Sequence, residues 1–349
     1  MNMPVEKSKV SLLIPCYNGE KFLKQCFHCI LQQTYNNVEV IIINDGSTDR
    51  SAQIITSFSE PISQRGYSFV YLSKNNGGAA SAVDLGLKYV SGNYLMLYDV
   101  DDILMKDAIK LKAEFLDNHP EYAMVRNNGY YVKAKNLKQN SYLFIRNKKE
   151  KQNESIFEDI LYGKTNNWTG TYMIRSHHLF NHIKDKSIFI SPWGQNIQLM
   201  LPVAYHYKSG FIDKPLMRYV DHGSSVSRTN NPWRELELFD GYKENRMEVI
   251  RSMDIPESEK QNLYKKIDTL YKHIRLRWAS QYNKKDILAQ EFISLKKDGE
   301  LTWNDHIYYY FGKNKRTSSI YQRVLYLVKM MHCIFYKCEG KVLRHDPLY

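Results

Sequence analysis

The sequence lacks the features of a membrane-spanning, secreted or disulfide-bonded protein. It contains no run of about 18 apolar residues, so we expect no transmembrane helix. The first ten residues, MNMPVEKSKV, lack the apolar segment of a signal peptide. The five cysteines are an odd number without regular spacing, which argues against a disulfide framework. These absences predict a cytoplasmic protein.

Four of the cysteines leave a zinc site open as an alternative. Cys26 and Cys29 have the C-x-x-C spacing that thiolate-bound zinc uses, and Cys333 and Cys338 are a distant second pair. Cys26 and Cys29 also fall within an amphipathic helical pattern at residues 20–33, where they fit as small apolar residues. We favour packing over zinc.

Acidic residues are fewer than basic ones, and this sets the charge of the protein. The chain of 349 residues has 37 Asp and Glu against 49 Lys and Arg, a net charge of +12. This balance favours partners with phosphates, such as nucleotides, nucleic acids or an anionic membrane surface, and does not choose among them. The length and the 43% hydrophobic content allow a sizeable core and more than one domain.

Strand and helix patterns alternate from residue 10 to residue 102. The predicted strands are residues 10–15, 38–43, 67–72 and 94–98, and the predicted helices are residues 20–33, 48–58 and 79–90. The short links predict right-handed β-α-β units and a parallel sheet. A polar loop follows each strand. Because parallel strands end at one edge of a sheet, we expect the four loops to converge on one ligand.

The fourth of these loops is acidic. The apolar run at residues 94–98 ends in Asp99, Asp101 and Asp102. If the strand geometry persists, Asp99 and Asp101 point to the same side. Unpaired, the two carboxylates would repel and raise each other's pKa, and a divalent cation would remove that conflict. The alternative is an Asp-rich turn that caps the next helix.

The rest of the chain predicts a mixed region and then a helical one. The expected elements are helices at 107–118 and 194–207, strands at 122–132, 168–174 and 210–219, and long helices at 236–253, 257–282 and 286–297. The Lys- and Asn-rich stretch 133–153 predicts a loop or hairpin. We place a boundary that divides the chain into domains 1–235 and 236–349.

The order of the four polar loops resembles the family 2 glycosyltransferases. The residues that carry the resemblance are Pro15-x-Tyr17-Asn18, Asn44-Asp45-Gly46-Ser47-x-Asp49, Asn76-Gly77-Gly78 and Asp99-x-Asp101-Asp102. The resemblance covers residues 9–228. It implies the GT-A fold, an α/β fold with a mainly parallel sheet flanked by helices, followed here by a helical C-terminal region.

The resemblance also implies a reaction. Members of this family transfer a sugar from a nucleotide-diphosphate donor to a hydroxyl group with inversion. Mg²⁺ or Mn²⁺ neutralises the charge of the leaving diphosphate, and a general base is needed near the acceptor hydroxyl.

The family's roles can be carried onto residues of these loops. Tyr17 would lie against the base, and Asp45 would accept a hydrogen bond from the N3–H of uracil or thymine. Asp99 would contact the ribose or the metal, Asp101 would ligate the metal, and His222 would reach the metal or the pyrophosphate. The other donor-binding positions are Pro15, Asn18 and Asn76.

The sequence departs from the family where the general base is expected. The base is usually an Asp in a Glu-Asp pair at the start of the late helix, where this chain reads Gly194-Gln195-Asn196. Neither amide accepts a proton at neutral pH. Either Asp102 or Asp221 is the base, or Gln195 and Asn196 only position the acceptor.

A second departure lies in the third helix. The family's Ala-Arg-Asn reads Ala82-Val83-Asp84 in this chain. This difference changes the donor contacts expected of that helix. Both departures bear on the roles of residues more than on the class of reaction.

Two classes of function remain open. The first is a metal-dependent transferase that builds a bacterial surface polysaccharide on a saccharide or lipid-linked acceptor. The second is a non-catalytic nucleotide- or nucleic-acid-binding protein, which the charge of +12 and the amide pair would allow. Nucleic acid is disfavoured because acidic loops lie where the phosphates of a polymer would approach.

The last segment, residues 313–344, has a basic amphipathic pattern. It carries eight Lys or Arg residues against the single acid Glu339. Its apolar residues recur at spacings of three and four: Ile320, Val324, Leu327, Val328, Met331 and Phe335. Such a helix can lie in an anionic membrane interface, here the inner leaflet. Alternatively, it packs on the catalytic domain or on a second subunit of a homodimer.

Overall fold

The computed structural model describes residues 7–137, 139–223 and 229–314. Within these residues, those up to His222 together with Ser252–Asp254 form one compact unit. The residues from Gly223 to Arg251 and those from Ile255 onward form a second compact unit.

The described part of the first unit is built on one mixed sheet of nine strands. The strands are β1 (Val10–Cys16), β2 (Val38–Asp45), β3 (Ser68–Lys74), β4 (Tyr94–Leu97), β5 (Ile103–Leu104), β6 (Tyr122–Lys133), β7 (Asn140–Leu143), β8 (Tyr172–Arg175) and β9 (Lys208–Asp221). Their order is β3-β2-β1-β4-β8-β6-β9-β5, and β7 pairs with β6.

Helices connect these strands. They are α1 (Leu23–Leu31), α2 (Ser51–Ser57), α3 (Ser59–Gln64), α4 (Ala79–Leu87), α5 (Ala108–Asn118), α6 (Lys148–Gln152), α7 (Phe157–Leu161), α8 (Ser176–Phe180) and α9 (Ile197–His206). Short 3₁₀ turns occur at Ala134–Asn136 and Lys184–Lys186. Helix α1 shows why these segments are helical, since its buried Leu23, Phe27 and Ile30 recur at spacings of three and four.

The parallel half of the sheet confirms the predicted β-α-β alternation. Strands β3, β2, β1 and β4 run parallel, and β1 pairs with β2 on one side and β4 on the other. Every residue of β1, β2 and β4 is buried. Burial on both faces explains why these strands read as continuous apolar runs in the sequence.

The other half of the sheet is mixed, because β8 is inserted antiparallel between β4 and β6. Arg175 at the end of β8 pairs with Tyr94 at the start of β4. Tyr172, at the start of β8, therefore lies toward the end of β4. An antiparallel strand thus delivers its first residues to the edge where the parallel strands finish.

Two predicted boundaries are wrong in ways that affect the site. Strand β4 ends at Leu97, so strand geometry does not carry Asp99 and Asp101 to one side. The predicted helix 194–207 begins only at Ile197, with Asn196 as its N-cap. Gly194 has φ +133°, outside the helical region, so the chain before Asn196 is a loop.

Two other expectations for this unit are confirmed. The stretch 133–153 contains β7, which forms an antiparallel pair with β6, as expected of a hairpin. Cys26 and Cys29 are buried on α1, as the packing interpretation predicts. Cys333 and Cys338 lie outside the described residues.

The described part of the second unit is helical, as the sequence predicts. Its helices are α10 (Pro232–Ser252), α11 (Glu257–Gln281), α12 (Lys285–Asp298) and α13 (Trp303–Gly312). Helices α12 and α13 pack on α11 and on each other. Helix α13 begins with a capping box between Thr302 and Asp305.

The basic amphipathic segment lies outside the described residues from residue 315 onward. Among the helices of the described ranges, none combines the length and apolar character needed to cross a membrane.

Candidate active site

The loops after β1 and β2 are interlocked by hydrogen bonds. The backbone N–H of Asn18 donates to Ser47 Oγ at 2.9 Å, and Asn18 Oδ1 accepts from the Thr48 N–H at 2.8 Å. The N–H of Gly19 donates to Ser51 Oγ at 2.8 Å. These bonds fix the two loops at one edge of the sheet, as the convergence of polar loops predicts.

Pro15 and Tyr17 flank the end of β1 with opposite exposure. Pro15 is buried within the strand, whereas Tyr17 is 53% exposed in the loop that follows. An aromatic ring exposed at this edge offers an apolar face to a planar ligand.

Asp45 is buried at the end of β2, and its carboxylate is surrounded by donors. It accepts from Lys74 Nζ at 2.7 Å, from the Gly78 N–H at 2.7 Å and from the Gly77 N–H at 3.1 Å. Asn76 Nδ2 donates to Asp45 Oδ2 at 3.3 Å and to the Asp45 carbonyl at 3.0 Å. Asp45 therefore fixes the loop after β3, a structural role that the sequence did not indicate.

The acidic turn after β4 brings three carboxylates together. One ligand oxygen from each of Asp99, Asp101 and Asp102 lies within 4.8 Å of the others. Asp99 Oδ2 accepts from Thr169 Oγ1 at 2.5 Å, and Asp102 Oδ1 accepts from the backbone N–H of Val220 at 2.9 Å. A turn, and not a continued strand, produces the grouping expected of these residues.

The carboxyl groups of this turn are desolvated and close together, which disfavours their charged forms. Burial, followed by the neighbouring charge of Asp101, raises the pKa of Asp99 to about 7. Burial also raises the pKa of Asp101, and it raises that of Asp102 well above its ordinary value. Among the described residues, these three carboxyl groups are the cluster of potential ligands that could hold a metal ion. Hard oxygen donors with excess negative charge fit Mg²⁺ or Mn²⁺.

Asp221 ends β9 at the same edge of the sheet, and His222 comes directly after it. Asp221 is the last residue of β9 and pairs with Lys133 of β6. His222 packs its ring on Phe22, with centroids 4.6 Å apart, and its Nε2 lies 3.5 Å from the carbonyl oxygen of Asp101. His222 therefore lies beside the acidic turn.

Asn196 is held by a buried tyrosine that sequence reasoning missed. Tyr172 is 1% exposed, and its hydroxyl donates to Asn196 Oδ1 at 2.8 Å. Burial, and secondly the negative charge of Asp99, raise the pKa of Tyr172 well above its ordinary value. Tyr172 follows Thr169, which contacts Asp99, by three residues, so this short segment touches both the acidic turn and Asn196. The neighbouring Gln195 is partly exposed.

The loop before Asn196 is anchored at both ends. Asp84 Oδ1 accepts from Ser187 Oγ at 2.6 Å and from the Ile188 N–H at 2.9 Å. Gln198 Nε2 donates to the carbonyl oxygen of Gly194 at 2.6 Å. Asp84 thus anchors the start of this loop, and Asn196 lies at its end. Both residues belong to the departures from the family pattern.

Three site residues escaped the sequence analysis. Thr169 contacts Asp99, Tyr172 contacts Asn196, and Lys74 contacts Asp45. Thr169 and Tyr172 precede or begin the short antiparallel β8, and no pattern in the sequence places that strand beside β4. Lys74 ends β3 and reads as an ordinary surface lysine.

The sheet and its acidic edge define a nucleotide-sugar transferase fold of the GT-A type. Residues 11–183 match the model of the family described as Glycosyl transferase family 2. This segment of the chain belongs to the family.

Relatives with assigned names agree with this membership. The chain is 28% identical over 182 residues to the glycosyltransferase GlyG of Streptococcus pneumoniae serotype 4, a match that covers 50% of this chain and 58% of GlyG. Other curated relatives are covered over 14% to 49% of their length. The chain therefore spans less than two thirds of these relatives.

Two solved structures share the fold. TarS 1–349 of S. aureus in complex with UDP-GlcNAc is 20% identical with a TM-score of 0.53, covering 74% of this chain and 71% of that one. The mannosyltransferase PcManGT of Pyrobaculum calidifontis, in complex with GDP-Man and Mn²⁺, is 14% identical with a TM-score of 0.52. That alignment covers 95% of this chain and 88% of PcManGT.

Proposed function

We propose that residues 1–235 transfer a sugar from a nucleotide-diphosphate donor to a hydroxyl of a saccharide or lipid-linked acceptor, with inversion. The observation that carries this proposal is the group of three carboxylates at the end of β4, beside the interlocked loops of β1 and β2. Family membership supports it, as do the sugar nucleotides bound by TarS and PcManGT.

We infer that the donor is a uridine or thymidine nucleotide. Tyr17 would lie against the base, Asp45 would accept its N3–H, and Pro15, Asn18 and Asn76 would line the same pocket. Because Asp45 already accepts from Lys74 and Asn76, the base takes the place of one of these donors. UDP-GlcNAc in TarS supports uridine, whereas GDP-Man in PcManGT keeps guanosine as the outcome to test.

Asp99 and Asp101 would hold Mg²⁺ or Mn²⁺, with His222 beside them. When bound, the cation supplies positive charge that stabilises the leaving diphosphate. Asp99 is oriented for this role by Thr169. Asp102 faces the backbone of Val220 and keeps β9 beside the turn.

We propose that the general base is a carboxylate and not a side-chain amide. Gln195 and Asn196 cannot take a proton at neutral pH, which leaves Asp102 and Asp221. Asp102 is only 2% exposed, whereas Asp221 is partly exposed at the end of β9. We favour Asp221 because a base must reach the acceptor hydroxyl.

We further propose that the product is a bacterial cell-surface polysaccharide, such as capsule or O-antigen, made at the inner leaflet. The basic amphipathic pattern of residues 313–344 supports a membrane-surface location or a homodimer contact. Nearly all of that segment lies outside the described residues.

Release of nucleoside diphosphate from sugar nucleotides tests the proposed function. The full chain is incubated with UDP-glucose, UDP-galactose, UDP-GlcNAc or GDP-mannose, with Mn²⁺ or with EDTA. We expect Mn²⁺-dependent release from a UDP-sugar, and no release by Asp101→Ala. Calorimetry with UDP and GDP tests the base, and equal affinities would contradict the uridine assignment. UDP binding without any turnover would favour the non-catalytic alternative.

A further inference from the structure

We propose that Tyr172 is a positioning residue that fixes the amide of Asn196 as a hydrogen-bond donor toward the acceptor hydroxyl. This inference rests on the proposed transferase function and concerns its acceptor side. The chain thereby uses an oriented amide where the family it resembles has a carboxylate.

The hydroxyl of Tyr172 sets the orientation of the amide. Tyr172 is 1% exposed, and within the described ranges its hydroxyl has one hydrogen-bond partner, Asn196 Oδ1 at 2.8 Å. A buried O–H group that made no hydrogen bond would be costly, so its proton goes to the amide oxygen. The NH₂ group of Asn196 therefore points away from Tyr172.

The amide oxygen of Asn196 does not stabilise the start of α9. Asn196 precedes the helix with helical dihedral angles, φ −77° and ψ −42°, whereas a capping asparagine normally has extended ones. Its side chain makes no capping hydrogen bond. The bond to Tyr172 is therefore what orients the amide.

The NH₂ group of Asn196 is available to a ligand. No partner for it occurs among residues 7–137, 139–223 and 229–314, and it is not one of their buried unpaired groups. The loop that leads to Asn196 is anchored by Asp84 and Gln198, so the amide is held on a fixed support. Tyr172 lies three residues after Thr169, whose hydroxyl contacts Asp99.

An amide in this place has a defined chemical use. Its N–H groups donate to a lone pair of the acceptor oxygen and leave the hydroxyl proton facing elsewhere. That proton passes to a carboxylate, for which Asp221 is our candidate. The freed electron pair forms the new bond to the anomeric carbon as the bond to the diphosphate breaks.

A double-mutant cycle tests the proposal. Tyr172→Phe, Asn196→Ala and the double variant are compared for kcat and KM with the donor that the wild type uses. Octyl β-glucoside, octyl β-galactoside and octyl N-acetyl-β-glucosaminide are the acceptor probes, and water is the acceptor in their absence. We expect Tyr172→Phe to lower kcat roughly tenfold, the scale of one well-placed hydrogen bond, with the KM for the donor unchanged.

The combined variant is decisive. If Tyr172 acts through Asn196, the double variant is no slower than Asn196→Ala alone. Additive losses in kcat would overturn the proposal, as would a Tyr172→Phe enzyme with wild-type kcat. Tyr67→Phe is the matched control, because it also removes a buried hydroxyl, one that donates to the Tyr35 carbonyl at 2.6 Å. It should leave kcat unchanged.

Unfolding in urea gives a readout that does not depend on turnover. The same cycle should show that the two substitutions at Tyr172 and Asn196 are coupled in the free energy of unfolding. Independent effects on unfolding would overturn the orienting bond. Failure of the wild type to turn over any sugar nucleotide would instead count against the proposed function.

Discussion

The backbone N–H of Val220 donates to the carboxylate of Asp102 over 2.9 Å, and this bond ties the last long strand of the sheet to the acidic turn after β4. Two segments more than one hundred residues apart are thereby joined at the candidate active site. The bond also separates the roles of the three acids. Asp102 supports the backbone, while Asp99 and Asp101 remain available to a cation.

Asp101→Ala should abolish metal-dependent turnover without unfolding the protein. We expect a loss of about 10³-fold or more, because a cation held by the carboxylates stabilises the leaving group. Mn²⁺ should raise the Tm of the wild type and not that of the variant. Glu60→Ala, which removes an exposed acid on α3, is the control. Wild-type turnover by Asp101→Ala in Mn²⁺ would disprove the metal assignment.

Asp99→Asn should stabilise the metal-free protein at pH 8. The pKa of Asp99 is about 7 in the folded protein against an ordinary value of 3.8. Between pH 3.8 and about 7 the folded state therefore binds a proton that the unfolded state has lost. The free energy of unfolding of the wild type should therefore rise as the pH falls from about 8 toward 5. Asp99→Asn should weaken this dependence, to which Asp101 and Asp102 also contribute, and should add about 1–2 kcal/mol at pH 8, since the side chain is only partly buried. Urea unfolding in EDTA at each pH measures the effect, and a destabilised variant at pH 8 would contradict it.

Lys74→Met should tighten the binding of UDP. In the free protein Lys74 Nζ donates to Asp45 Oδ1, the oxygen that we expect to accept from the N3–H of the nucleotide base. Removing the lysine leaves a buried carboxylate that an N3–H group can satisfy, and we expect a roughly fivefold lower Kd, about 1 kcal/mol. Calorimetry with UDP in Mn²⁺ measures this change. Weaker binding would mean that Lys74 itself contacts the nucleotide.

Glu39→Gln should destabilise the first unit without touching the site. The Glu39 carboxylate accepts from the Ser91 N–H at 2.8 Å, the Gly92 N–H at 3.0 Å, Lys9 Nζ at 2.7 Å and Ser11 Oγ. Burial alone would raise the pKa of Glu39, but these donors outweigh it and lower the pKa below 4.5. We expect a loss of about 2–3 kcal/mol in the free energy of unfolding at pH 7.5.

The pH dependence of this loss has a definite sign. A lowered folded pKa gives stability that is present above pH 4.5 and lost as the pH falls through the folded value. The difference between wild type and Glu39→Gln should therefore shrink below about pH 4. A difference that stays constant to pH 3 would show that the charge of Glu39 is not the cause.

Truncation after residue 314 should release the protein from anionic vesicles. The basic residues beyond this point favour phosphatidylglycerol surfaces, and salt should weaken the attraction. Co-sedimentation of the full and truncated chains at low and high salt measures this. If the full chain remains in solution at low salt, the segment serves the protein core or a dimer instead.

The parallel half of the fold was predictable because its physics is local. Strands buried on both faces give apolar runs, and polar loops at their ends give the ligand edge. Asp45 and Asp101 were placed correctly at this edge for that reason. The sequence could not indicate that Lys74 and Asn76 already donate hydrogen bonds to the Asp45 carboxylate, since these contacts depend on the conformation of the loop after β3.

The mixed half was not predictable in the same way. Strand β8 has four residues and pairs with strands far away in the sequence. Tyr172 and Thr169 reach the site only through this pairing. The orientation of the Asn196 amide depends in turn on Tyr172, so Gly194-Gln195-Asn196 alone can suggest that an amide positions the acceptor but not which way that amide points.

The loop that Asp84 anchors and Asn196 ends has a consequence for protein engineering. A variant that places an aspartate at position 196, but keeps the Asp84 anchor, would put a carboxylate on a loop that here supports an amide. Substitutions at the two positions should therefore be tolerated together more readily than singly. Libraries that randomise both positions at once should contain more active variants than libraries that change either position alone.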